Sequence, residues 1–198
     1  SGCGKSTLAR VVTMIEPAAL PGAEGDADPA SLRAADGRTP GRRGLATRQR
    51  LLDCTQDMLR STTYRDLKVI DIAREAGTSP ATFYQYFPDV EAAILVLAEE
   101  MALSGGELRG LIIAGPWRGR PGFDTAVAVV DAFLDFWEEH RALLRVVDLA
   151  TEEGDQRFRQ IRTRLLHEVT VALADVVRHA QDEGRHPSDI DPTASAGV

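Results

Sequence analysis

Between Thr78 and Tyr86 the sequence TSPATFYQY carries five hydroxyl side chains, one carboxamide and no charge. Thr82, Tyr84, Gln85 and Tyr86 can donate hydrogen bonds to phosphate oxygens and base edges without the cost of desolvating an ion. Phe83 and Phe87, four apart, have the spacing of an inward anchor on a helix. This composition suits recognition of nucleic acid. The other reactive side chains are scattered. His140, His167, His179 and His186 show no metal spacing with one another or with cysteine. No serine–histidine–acid set follows from order alone, and His167 with Glu168 is the best candidate for a polar pocket group. Cys3 and Cys54 are the only cysteines, too few for a disulfide framework, which fits a reducing cytoplasm. The sequence nominates no catalytic residue, no metal and no cofactor.

Those donors need elements to hold them. Ile70, Ile72, Ala73 and Ala76 put an apolar stripe on one face of a short helix. Gly77 can take the left-handed conformation that ends a helix. Ser79 offers an oxygen to cap a second helix, and Pro80 sits where a first-turn residue loses nothing by lacking an N–H. Helix, glycine turn and capped helix make a helix-turn-helix. Ahead of it, a helix over 46–60 is expected to bury Leu51, Leu52, Thr55, Met58 and Leu59. Residues 63–68 form a short connection in which Leu67 plugs the core. After Pro88, a helix over 90–104 turns Ala93, Ile94, Leu97 and Met101 inward and joins this head to a body.

On the stretches RQRLLDCTQDMLRSTTY, VIDIAREAGTSPATFYQYF and PDVEAAILVLAEEM, the chain from Arg48 to about Leu97 resembles the N-terminal domain of the TetR family of one-component transcriptional repressors. The resemblance implies that residues 79–86 enter the major groove of a palindromic operator. It nominates Arg48, Lys68, Thr78, Ser79, Thr82, Tyr84, Gln85 and Tyr86 as DNA-binding residues. One departure stands out. Family members commonly carry a lysine just after the Phe-Pro that closes the reading helix, where FPDVE places Val90 beside Asp89. One backbone contact is therefore missing, and non-specific affinity should be lower.

The formal charge of −7 at first argues against nucleic acid, but its distribution decides otherwise. Residues 42–90 carry 8 basic and 6 acidic groups, whereas residues 91–198 carry 11 and 19. The reader is the only basic segment, and the acidic remainder would keep the molecule docked by one end. No apolar run approaches the roughly 20 residues that span a bilayer, so no membrane is implied. Residues 1–16 lack the long apolar centre of a signal peptide.

A different resemblance appears at the start. SGCGKSTLARVV is similar to the phosphate loop and helix of ABC-transporter ATPases, with Gly4-Lys5-Ser6 as the loop's end. A working loop needs a glycine five positions before Gly4 and a strand feeding it, both of which would precede Ser1. LSGGELRG at 103–110 imitates the ABC signature, and AVAVVD at 126–131 imitates the run ending in a metal-binding aspartate. Asp131 is followed by Ala132, however, not by a second carboxylate. The run also continues with Phe123, Val127, Val130, Phe133 or Leu134, and Trp137 at helical spacing. Residues 1–16 therefore read as a non-functional remnant.

Residues 17–44 are rich in small and turn-forming side chains and read as a disordered linker. Arg38, Arg42 and Arg43 at its end are solvated charges or a basic arm reaching toward DNA. Residues 105–122, rich in glycine, arginine and proline, mark the boundary between head and body. Helices are expected over 123–140, 141–151 and 155–183. Their large side chains read first as core. The family resemblance implies a ligand pocket between such helices, lined by Trp117, Phe133, Phe136, Trp137, Leu144, Val147, Phe158, Leu165 and His167. DPTASAGV opens another helix with a proline. Family members continue with two more helices that pack on a second subunit, which implies a homodimer in the full-length protein and impaired pairing of this chain.

The expectation is an all-α, TetR-like protein. Residues 1–16 are a remnant, 17–44 a linker, 45–90 a helix-turn-helix DNA-binding domain, and 91–198 an incomplete ligand-binding and dimerisation domain. It would be a cytoplasmic repressor, not an enzyme, whose operator DNA is released by a small apolar ligand. The rival readings are a P-loop ATPase fragment and an all-α ligand-binding module without DNA binding.

Overall fold

The computed structural model describes residues 41–196. Among these the chain forms α1 (Arg42–Leu59), α2 (Val69–Glu75), α3 (Pro80–Tyr86), α4 (Val90–Ser104), α5 (Gly106–Ala114), α6 (Gly119–Glu152), α7 (Gln156–Asp182) and α8 (Pro192–Ala196), and no strand. The phosphate-loop-like stretch 1–16, Cys3, Arg38 and residues 17–40 of the expected linker lie outside the described residues. Both later imitations of an ATPase are helical. LSGGELRG spans the junction of α4 and α5, and AVAVVD lies within α6.

α1 starts four residues before the expected position 46, so Arg42 and Arg43 are its exposed first turn and not a free arm. Nothing from Arg42 to Ala46 stops a helix except Gly44, which costs about 1 kcal/mol and is tolerated. Its buried stripe is Arg48, Leu51, Leu52, Thr55 and Leu59, with Met58 packed at the edge. Thr55 is buried at no hydrogen-bonding loss, because its hydroxyl donates to the Leu51 carbonyl at 2.7 Å.

Gly77 turns the chain at φ 65°. The Thr78 N–H reaches back to the Ala73 carbonyl (2.8 Å) and the Gly77 N–H to Arg74 (3.0 Å), the paired bonds of a Schellman C-cap. Ile72, Ala73 and Ala76 are buried behind it. Ile70 departs from the expected stripe: in so short a helix its position falls on the outer face, and it is 60% exposed.

The packing divides the molecule differently from the sequence boundary at 90/91. One core joins the buried residues of α1–α4 to Leu143, Val146, Val147 and Ala150 of α6 and to Phe158, Ile161 and Leu165 of α7. A second, smaller core holds Leu108 and Ile112 of α5, Val129 and Ala132 of α6, and Val169 and Ala172 of α7. The head is thus packed into one end of two long helices.

α6 is a single helix of 34 residues where a break near 140 was expected, since His140-Arg141-Ala142 contains no residue that stops a helix. The glycine-rich stretch 105–122 is itself mostly helical. It contains α5 and the first turn of α6, where Pro121 is tolerated. Gly122 is required there by closeness, because a Cβ would lie 2.7 Å from the Trp117 backbone.

The expected core stripe of α6 is overturned. Phe123 (62%), Val130 (56%), Leu134 (58%) and Trp137 (47%) are exposed, and Val127 and Phe133 also rank among the exposed hydrophobics. The buried face is the smaller one, with Gly122, Val129 and Ala132 leading to Val146, Val147 and Ala150. Small residues let α6 pack against Val169 and Ala172 of α7, and the large side chains are left outside.

Candidate nucleic-acid interface

α3 has seven residues, and its inward face is set by Phe83, fully buried, and Phe87 just beyond it, their rings 5.5 Å apart. That anchoring fixes which positions look out. Ala81, Tyr84 and Gln85 are exposed and share the opposite face. Tyr84 stands edge-on to Phe83 (6.0 Å), which holds its ring while leaving the residue 52% exposed. Ala81 is absent from the expected set, though the spacing 81, 84, 85 would have found it. Its methyl suits apolar contact with a base.

The other nominated residues are placed differently. Ser79 caps α3 by accepting the Thr82 N–H (3.2 Å), and its hydroxyl lies 3.0 Å from that of Thr82. Both hydroxyls therefore already serve the helix start. Thr78 is half-buried in the turn, and Lys68 is exposed ahead of α2. Tyr86 is not on the outer face. It is half-buried, packed against the core, with its ring 6.5 Å from Phe87. Arg48 is also withdrawn, only 8% exposed, with its guanidinium over the Phe87 ring. The structure thus brings Ala81, Tyr84 and Gln85 together and turns Arg48 and Tyr86 inward.

A groove of about 700 Å³ beside α3 is lined by Lys68, Ile70, Pro80 and Tyr84 and also by Asp89 and Glu91. Neither acid is a free charge. Asp89 caps α4 by accepting the Ala92 N–H at 2.7 Å, and Glu91 pairs with Arg157. Val90 is partly buried against the core.

The turn between α6 and α7 grips the head twice. Glu153 accepts the Tyr64 hydroxyl (3.0 Å) and pairs with Arg65. Beyond Gly154, Asp155 caps α7 through the Arg157 N–H (2.8 Å) and binds the Arg157 side chain, which also reaches Glu91. The Arg157 side chain holds the Asp155 carboxyl down at about 2. Spacing could not reveal these partners, which lie 89 and 66 residues apart.

The nine expected ligand-lining residues do not surround one cavity. Val147, Phe158 and Leu165 fill the larger core, with Leu144 packed against it. Trp117 closes the smaller core and donates its indole N–H to the Ile112 carbonyl at 2.8 Å. Phe133 and Trp137 face outward, the latter under the Arg141 guanidinium. His167 is exposed, and its neighbour Glu168 pairs with Arg109 at 3.3 Å. Phe136 alone touches both cores. Its ring lies 4.6 Å from His140, whose imidazole burial pushes below its ordinary value. Among the described residues, no cluster of three His, Cys, Asp or Glu could hold a metal ion, and no helix is long and apolar enough to cross a membrane.

Two family models match the chain: "Bacterial regulatory proteins, tetR family" over residues 51–93, and "Tetracyclin repressor-like, C-terminal domain" over residues 108–198. The HTH-type transcriptional regulator EthR of Mycolicibacterium smegmatis is 27% identical over 158 residues, covering 74% of this chain and 63% of that protein. An HTH-type transcriptional regulator of Haemophilus influenzae is 26% identical over 134 residues, covering 67% of this chain and 64% of that protein. The chain therefore spans just under two thirds of the length of these curated relatives. The fold is similar to that of the transcriptional regulator FadR from Bacillus subtilis, solved in complex with stearoyl-CoA. The TM-score is 0.57 at 17% identity, covering 75% of this chain and 78% of that one.

Proposed function

The chain belongs to the TetR family of transcriptional regulators, and from that premise we propose that it is a repressor that reads a palindromic operator through Ala81, Tyr84 and Gln85. The observation that carries this reading is their uncharged, exposed face on a helix fixed by the Gly77 turn, the Ser79 cap and the Phe83 anchor. Tyr84 would meet phosphate, and Gln85 would meet a base edge in the major groove. Two copies of the chain would place two such faces on half-sites about one helical turn apart. An effector bound to the body would change their separation and release the DNA.

The test is selection of duplex DNA from a random pool, followed by anisotropy titration of the selected site. Gln85→Ala should relax preference at particular base pairs by roughly 1–3 kcal/mol. Tyr84→Phe should weaken binding about equally on every sequence. A selected palindrome bound equally well by wild type and by both variants would sink this assignment of the reading face.

A further inference from the structure

We propose that the cleft between the α1–α2 loop and the C-terminal half of α6 is an effector seat for an amphiphilic anion: a small molecule with a carboxylate or sulfonate on an apolar body. The inference rests on the regulatory reading above and says where its effector binds. The cleft measures about 490 Å³, within the range of small-molecule sites. Its apolar floor is Leu59 of α1 with Ala142, Val146 and Leu149 of α6. The α6 members are three or four residues apart and so share one face.

Arg145 lies within that face, one turn from Ala142 and from Leu149. It makes no ion pair or hydrogen bond among the described residues. The other two arginines of the cleft are engaged: Arg60 pairs with Asp57 at 3.3 Å, and Arg141 lies over the Trp137 ring. Ser61, Thr62 and Thr63 line the opposite wall, with the Ser61 hydroxyl donating to the Met58 carbonyl (3.4 Å) and that of Thr63 to Asp66 (2.6 Å). Glu138 and Glu139 also line the cleft, but at its other end. At 1.5 Å rise per residue they stand about 9–10 Å along α6 from Arg145, one turn before Ala142. Cation and floor are therefore adjacent, and the acids stand about two turns from the cation, at the Ala142 end of the floor.

The position gives the seat its consequence. The wall formed by residues 60–63 runs directly into Tyr64 and Arg65, which hold Glu153 at the end of α6. An occupant that spreads the wall from α6 draws on that grip, and the grip orients the head against the body.

Calorimetry on the whole chain, without DNA, tests the seat. The probe is decanoate, with decyltrimethylammonium as its cationic counterpart. We expect saturable one-site binding of decanoate, weakened at least tenfold by Arg145→Glu and unchanged by Leu134→Gln on the exposed stripe of α6. Arg145 is exposed, so its reversal leaves the core intact, and a circular-dichroism melt checks this. Absence of saturable binding, binding that survives Arg145→Glu, loss with Leu134→Gln instead, or equal binding of the cation would each overturn the seat. Saturating decanoate should weaken operator binding by wild type but not by Arg145→Glu, and no such change would overturn the effector role. Failure to bind any DNA while decanoate still binds through Arg145 would count against the regulatory reading and leave the anion site standing.

Discussion

The guanidinium of Arg48 lies over the Phe87 ring, 5.3 Å from its centre, and seals the base of the reading helix from within. A cation held this way is part of the core, and its stem is buried with it. Replacing it tests whether it belongs to the fold or to the DNA. Arg48→Ala should destabilise the protein by about 1–3 kcal/mol, with Arg48→Met recovering part through packing. Thermal melts of the free protein measure this. Unchanged melting together with lost operator affinity would restore Arg48 to the DNA surface.

The two aromatic types nominated for the ligand pocket should separate cleanly. Phe158 is 1% exposed and fills the larger core, so Phe158→Ala should cost about 3–5 kcal/mol. Trp137 is 47% exposed, and Trp137→Ala should cost less than about 1 kcal/mol. Urea titrations of both variants give the comparison. A large loss at Trp137 would mean that the outer stripe of α6 is covered in solution.

Glu153 couples the body to the head through Tyr64 and Arg65. Its contacts are partly exposed, so their effect on stability is small. A double-mutant cycle with Tyr64→Phe and Glu153→Ala should return a coupling of about 0.5–1 kcal/mol. Additive losses, with no coupling between the two sites, would show that the strut is not formed in solution.

The Asp155 carboxyl, held at about 2 by the Arg157 side chain and by backbone N–H groups, lies below its ordinary value of 3.8. The folded state therefore binds this proton more weakly than the unfolded chain does. The stabilisation is complete above pH 4 and is lost as pH falls from about 4 to about 2. Asp155→Asn keeps a capping oxygen and cannot titrate. It should flatten stability against pH in that window while lowering it at neutral pH. An unchanged acid-unfolding profile would show that Arg157 does not hold Asp155.

Local chemistry determined much of this protein from sequence alone. The Gly77 turn needs only a left-handed residue at 77, and the start of α3 needs only Ser79, Pro80 and the Thr82 N–H. Both are written within a few residues of where they act. The stripe Ala93, Ile94, Leu97 and Met101 on α4 was legible for the same reason, since its positions recur at steps of three and four residues. Tertiary packing decided what spacing left open. Phe133, Leu134 and Trp137 keep perfect helical period on α6, yet the core chose the smaller face, because Val129, Ala132 and Ala150 allow closer approach to α7. Periodicity shows that a helix has two faces and not which one its neighbour will take. Arg48 and Tyr86 turned inward because Phe87 offered each of them a ring to pack against. The grip of Glu153 on Tyr64, 89 residues away, exists only once two long helices have carried the turn back to the head.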